Sequence, residues 1–146
     1  MIKFIPISFL FISITLTYLS KNLLTIKISK IIGLLIIVIS LVFIVLGILT
    51  LTTNRTTIIP GNKPKKLVKD GIFRFIRNPI YLGDLLFIIG LSLFLQTLTG
   101  IFISILFFLI LDKIVIPTEE RILEETFKNE YIEYKRNVKR WGIFLI

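Results

Sequence analysis

Residues 31–51 form an unbroken apolar run without a single charge. At about 1.5 Å per residue, a helix through it is roughly 31 Å long, the thickness of a bilayer's hydrocarbon core. Three further runs accompany it. They cover Phe4 to Leu19, Ile80 to Leu98 (interrupted by Asp84), and Ile101 to Ile116, with Asp112 and Lys113 near its end. Of the 146 residues, 55% are hydrophobic. A water-soluble core of this size cannot bury that much apolar surface. The sequence therefore predicts an all-α integral membrane protein with about four transmembrane helices, treated as one domain over residues 1–146. The first run has no small-residue cleavage site after it and is read as a span, not a signal peptide.

Thr99 and Gly100 leave almost no room between the last two runs. They predict a tight helical hairpin whose ends return to one side of the membrane. Two polar segments flank it. The connector 52–79 carries Arg55, Lys63, Lys65, Lys66, Lys69, Arg74 and Arg77 against the single acid Asp70. The tail 117–141 is charged, has helical periodicity and reads as a cytosolic amphipathic helix. The Lys/Arg excess places the N-terminus, connector and tail in the cytoplasm, against the pull of Lys21, Lys27 and Lys30 at the opposite end. The setting expected is a prokaryotic plasma membrane. The net charge of +9 flanks apolar runs, so anionic lipid headgroups account for it better than nucleic acid.

Cysteine and histidine are both absent. That removes thiol nucleophiles, disulfides, thiolate metal sites and the commonest general base near neutral pH. No metal is expected. The chemistry must come from acids, arginines and tyrosines. Each has a structural explanation. Asn78 and Thr118 suit helix caps, Pro79 a first helical position, and Glu119 and Glu120 the positive end of a helix dipole. Arg74 and Arg77 suit lipid phosphates, and Tyr81 an interfacial belt. The hairpin nevertheless brings Arg77, Asn78 and Tyr81 at its entrance toward Glu119 and Glu120 at its exit. Asp84, about one turn inside its span, is a functional candidate because an acid at the centre of a membrane helix costs roughly 2.5–3.5 kcal/mol. Near the interface the cost is smaller, and a partner such as Arg77 would give it a structural explanation.

In order along the chain stand Gly71 and Phe73, Arg77-Asn78-Pro79-Ile80-Tyr81-Leu82-Gly83, Glu119-Glu120-Arg121-Ile122-Leu123, Phe127-Lys128-Asn129-Glu130-Tyr131-Ile132-Glu133-Tyr134, and Val138-Lys139-Arg140, with Pro60, Pro64 and Leu67-Val68 upstream. In this order, the stretch from Thr56 to Trp141 resembles the membrane methyltransferases that include isoprenylcysteine carboxyl methyltransferases and phospholipid N-methyltransferases, in their bacterial Arg-Asn-Pro form. Asn78 stands where the best-studied members have His, Lys128 where Gly is usual, and Trp141 where a Pro often follows the last Arg.

The resemblance implies S-adenosylmethionine as methyl donor and a lipid or isoprenoid-linked acceptor. It implies Arg77 and Glu120 as catalytic residues, with Asn78, Pro79, Tyr81, Leu82, Glu119 and Glu120 around the donor. Arg74, Asp84, Tyr134 and Arg140 are substrate or pocket candidates. Isoprenylcysteine carboxyl O-methylation is the first expectation and phospholipid amine N-methylation the second. A small four-span transporter or a structural membrane protein is the alternative from another class.

Overall fold

The computed structural model describes residues 5–56 and 64–142. Phe4, Pro60 and Lys63, named above, lie outside them. The order is α1 (Ile5–Leu19), α2 (Lys30–Thr53), a 3₁₀ turn (Gly71–Arg74), α3 (Pro79–Phe94), α4 (Leu98–Ile110), a π-helical turn (Leu111–Val115), α5 (Ile116–Phe127) and α6 (Asn129–Asn137). Among the described residues there is no strand, only an isolated bridge between Thr25 and Thr97. Two helices are long and apolar enough to cross a membrane: α2, and the continuous helix Leu98–Phe127. Two shorter apolar helices, Pro6–Leu19 and Pro79–Phe94, accompany them.

The hairpin turns earlier than the sequence suggested. It lies at Leu95–Thr97, whereas Thr99 and Gly100 are inside α4. Long-range hydrogen bonds fix this position. Gln96 donates from Nε2 to the Ile28 carbonyl (2.7 Å), Ile26 N–H to the Gln96 carbonyl (2.9 Å), and Leu98 N–H to the Leu24 carbonyl (2.8 Å). Gly100 serves packing instead, because a Cβ there would meet Ser92 and Thr17 at 2.4–2.8 Å.

The last span also fails to stop at Ile116. Proline lacks an N–H, and its ring collides with the carbonyl four residues back, here Lys113. The helix absorbs Pro117 by widening into the π turn just before it, and continues to Phe127. Thr118 is therefore no cap, and its hydroxyl donates to the Ile114 carbonyl. The tail is two helices rather than one. They break at Lys128, and the chain leaves helical geometry after Asn137.

The helices α2 and α3 approach closely because small residues line their seam. Gly33, Ser40 and Gly47 are buried on α2 at seven-residue spacing, facing Gly83 and Gly90 on α3. A Cβ on Gly90 would lie 2.9 Å from the Ile37 nitrogen and 3.0 Å from the Gly33 carbonyl oxygen. Small residues of this kind drive helix association where lipid removes the hydrophobic incentive. The outer face of α2, from Ile31 through Leu35, Val38 and Val42 to Leu49, is exposed and apolar, a surface suited to lipid. On the other side of α3, helices α1 and α4 close the main core around Leu85, Ile88, Phe107 and Leu111. We expect Gly90→Val to destabilise the protein by about 1–3 kcal/mol through overpacking. Val42→Ala on the outer face should leave thermal unfolding in detergent nearly unchanged. Equal effects of the two substitutions would contradict this packing.

Candidate active site

The candidate site lies where the entrance of α3 meets α5 and the segment after α6. The Arg77 backbone N–H donates to the Lys139 carbonyl (3.1 Å), tying the chain before α3 to the segment after α6. Asn78 precedes α3 without capping it, since its side-chain amide instead donates to the Arg140 carbonyl (3.2 Å). Pro79 opens the helix as its sequence position suggested. Tyr81 then reaches α5, where its hydroxyl donates to Glu119 Oε1 (2.8 Å).

Adjacent residues on a helix point about 100° apart, so Glu119 and Glu120 serve different partners. Glu120 is the hub. Arg77 Nη1 donates to its Oε1 at 2.8 Å, Arg140 Nη2 to its Oε2 at 2.9 Å, and Arg140 Nε to Oε1 at 3.3 Å. Lys135 Nζ stands 3.5 Å from Oε2. The Arg77 and Glu120 side chains are only 9% and 7% exposed. Arg77 thus pairs with Glu120 and not with Asp84. Arg77 Nη1 also donates to the Tyr131 hydroxyl (3.3 Å), while Arg77 Nε is buried with no hydrogen-bond partner among the described residues.

The remaining candidates are spread around this hub. Tyr134 donates to the Phe73 carbonyl (2.6 Å) and, with Leu67 and Tyr131, builds a small core beneath the connector. Leu82 packs at the edge of the main core. Arg74 is exposed, outside the cluster. Asp84 is half-buried and has no hydrogen bond or ion pair among the described residues. Glu124 pairs with Lys135 (2.7 Å) across the helix break, instead of with Lys128 four residues on. Among the described residues no group of three or more Cys, His, Asp or Glu is arranged to hold a metal.

Two participants were missed in the sequence. Asp112 Oδ1 accepts from Arg140 Nη1 (2.8 Å) and from Trp141 Nε1 (3.0 Å). Trp141 also packs on Phe108, with ring centroids 5.3 Å apart. An acid within an apolar run was the available signal, the same one that drew attention to Asp84.

The electrostatics follow from burial and pairing. Burial works against the Arg140 charge, yet hydrogen bonds to Glu120 and Asp112 outweigh it and raise its pKa above the ordinary value. Burial, reinforced by the Glu120 charge and opposed by Arg77, pushes the Tyr131 hydroxyl up to about 12. Tyr134 is raised too, chiefly by burial.

The sequence model of the phospholipid methyltransferase family matches residues 28–130. The chain belongs to that family. Similar proteins include the protein-S-isoprenylcysteine O-methyltransferase of Schizosaccharomyces pombe, 39% identical over 89 residues, which are 58% of this chain and 36% of the yeast protein. The protein of the same name from Saccharomyces cerevisiae is 42% identical over 74 residues, 49% of this chain and 30% of its own length. The cobalt-zinc-cadmium resistance protein CzcN of Cupriavidus metallidurans is 36% identical over 78 residues, 53% and 36% of the two chains. The matches thus span about a third of these relatives.

Two outcomes test the local chemistry. Lys128 sits at φ 50°, ψ −123°, a backbone region that favours glycine. Lys128→Gly should raise stability by about 1 kcal/mol, visible as a higher unfolding temperature; no gain would refute the strain. An acid whose folded pKa lies above its unfolded value stabilises the fold below the unfolded pKa and loses that contribution as pH rises through the folded one. Tyr131 should therefore contribute stability up to about pH 10 that fades toward about pH 12. Tyr131→Phe should flatten the loss measured over that window, and an unchanged profile would contradict the assignment.

Proposed function

We propose that this chain is an integral membrane methyltransferase that takes its methyl group from S-adenosylmethionine and delivers it, at the membrane surface, to a lipid or isoprenoid-linked acceptor. An isoprenylcysteine carboxylate is the favoured acceptor, as the names of the two yeast relatives suggest. Four crossings by the helices up to the π turn, with the N-terminus, connector and tail in the cytoplasm of a prokaryotic cell, complete the reading, with residues 1–146 acting as one domain. The observation that carries it is the Arg77–Glu120–Arg140 cluster where the hairpin's two ends meet, in a chain of this family.

The residues present fit the donor. Arg77 Nε is a buried N–H without a partner among the described residues. Such an orphan costs about 1–3 kcal/mol and is relieved by an anionic group such as the donor's carboxylate. Glu119, held by Tyr81, supplies negative charge for the donor's ammonium and sulfonium, while Glu120 holds Arg77 and Arg140 in place beside it. Asn78, Pro79, Tyr81 and Leu82 line the donor's side through hydrogen bonding and apolar contact. Arg140 and Tyr134 close the site from the tail, and Arg74 meets lipid phosphate. S-Adenosylmethionine supplies an electrophilic methyl group, so in-line displacement needs mainly alignment in a dry site. A carboxylate acceptor needs no base; the alternative role of Arg77 is to orient that carboxylate rather than the donor's.

One observation favours a lipid amine as the second reading. Asp84 is a carboxylate without an ion-pair partner among the described residues, one helical turn from Tyr81, placed to take the proton that an ammonium headgroup must lose before attack.

Titration calorimetry of the detergent-solubilised protein with S-adenosylmethionine, beside a Glu120→Gln variant, tests the proposal. Saturable wild-type binding that the variant loses supports it. Absence of binding by folded wild type removes it. With donor binding in hand, labelled-methyl transfer to a farnesylcysteine analogue should tolerate Asp84→Asn. Transfer to phosphatidylethanolamine vesicles that collapses in this variant would replace the first acceptor with the second.

A further inference from the structure

The acid that holds the C-terminal strap lies within the π turn, eight residues before Glu120. Eight residues of regular helix would leave Asp112 and Glu120 about 80° apart around the axis; the extra residue of the π turn takes up about 100°, bringing them within roughly 20°. Both then face one guanidinium. Arg140 spans them, with Nη1 on Asp112 Oδ1 (2.8 Å) and on the Asp112 carbonyl (3.2 Å), and with Nη2 and Nε on Glu120. The Asp112 side chain is only 13% exposed. Its other oxygen accepts from the exposed Lys113 (2.9 Å), and its first also receives the Trp141 indole N–H. Residues 138–142 therefore form a strap pinned at four points: Lys139 and Arg140 carbonyls to Arg77 and Asn78, and Arg140 and Trp141 side chains to Asp112. Arg140 on a loose strap has no reason to present two nitrogens to Glu120, since its long side chain has many other rotamers.

We propose that Asp112, presented by the π turn, is a positioning residue that fixes Arg140 and the strap, and thereby sets the affinity of the site for the methyl donor. The donor itself rests on the reading given under Proposed function. Asp112 never touches it; its effect travels through Arg140 to Glu120 and Arg77.

Trp141 is the only tryptophan in the chain, so its fluorescence reports the strap alone. The test uses the full-length protein in detergent as wild type, Asp112→Asn and Asp112→Glu. S-Adenosylmethionine affinity is measured by calorimetry, and tryptophan emission with acrylamide quenching in the same samples. In Asp112→Asn, donor affinity should fall by roughly tenfold or more, with emission moving to the red and quenching rising. Asp112→Glu keeps the charge and should recover both readouts in part; it also serves if the Asn variant does not fold. A red-shifted, quenchable tryptophan with wild-type donor affinity would overturn the proposal while leaving the donor site standing. Unmoved fluorescence with lost affinity would also overturn it, because the effect would not pass through the strap. Failure of wild type to bind the donor would instead bring down the functional reading and this proposal together.

Discussion

One buried carboxylate organises the charged end of this molecule. Glu120 binds a guanidinium from just before α3 and another from after α6, so residues 43 and 20 positions away in sequence meet on it. Burying such charges is costly unless each finds a partner, and removing one partner of a buried pair typically costs about 3–5 kcal/mol. The pairing is therefore a demanding condition on the fold. The Arg77–Lys139 and Asn78–Arg140 backbone contacts, and the Tyr81–Glu119 bond beside them, are the ways in which it is met. An arrangement with this much fixed charge suits the proposed methyl donor, which carries a carboxylate, an ammonium and a sulfonium at once.

The apolar part of the chain serves that geometry. Glycines and a serine at seven-residue spacing let α3 lie against α2 at near-backbone contact, which fixes the direction in which α3 carries Pro79 and Tyr81. The turn at Leu95–Thr97, tied to the α1–α2 connector, sets how far α4 returns. The π turn then rotates α5 so that Glu119 faces Tyr81 and Glu120 faces the arginines. A helix that simply broke at Pro117 would place neither acid there.

Much of this was legible in the sequence because hydrophobic runs and local motifs are local properties. The four apolar runs correspond to helices, and the order of motifs around a hairpin brought Arg77 and Tyr81 toward the Glu119–Glu120 pair. What could not be read was decided by long-range contacts. Thr99-Gly100 looked like a turn, but hydrogen bonds from Gln96 to a distant connector move the turn forward, and the glycine is used for close packing against Ser92. Pro117 looked like a boundary, but a widened turn absorbs it. Asn78 looked like a cap, but the Arg140 carbonyl claims its amide. Lys128, in place of the usual Gly, left no sign that its backbone would adopt a left-handed value. The Asp112–Arg140 bond joins residues that no local pattern connects.

In the proposed function Glu120 acts through the arginines it holds. A double-mutant cycle on donor binding tests it most directly, using Glu120→Gln, Arg77→Gln and the pair together. If Glu120 works by positioning Arg77, the double variant should bind S-adenosylmethionine about as weakly as the worse single variant. Losses that multiply independently would contradict the account and assign Glu120 a contact of its own with the donor.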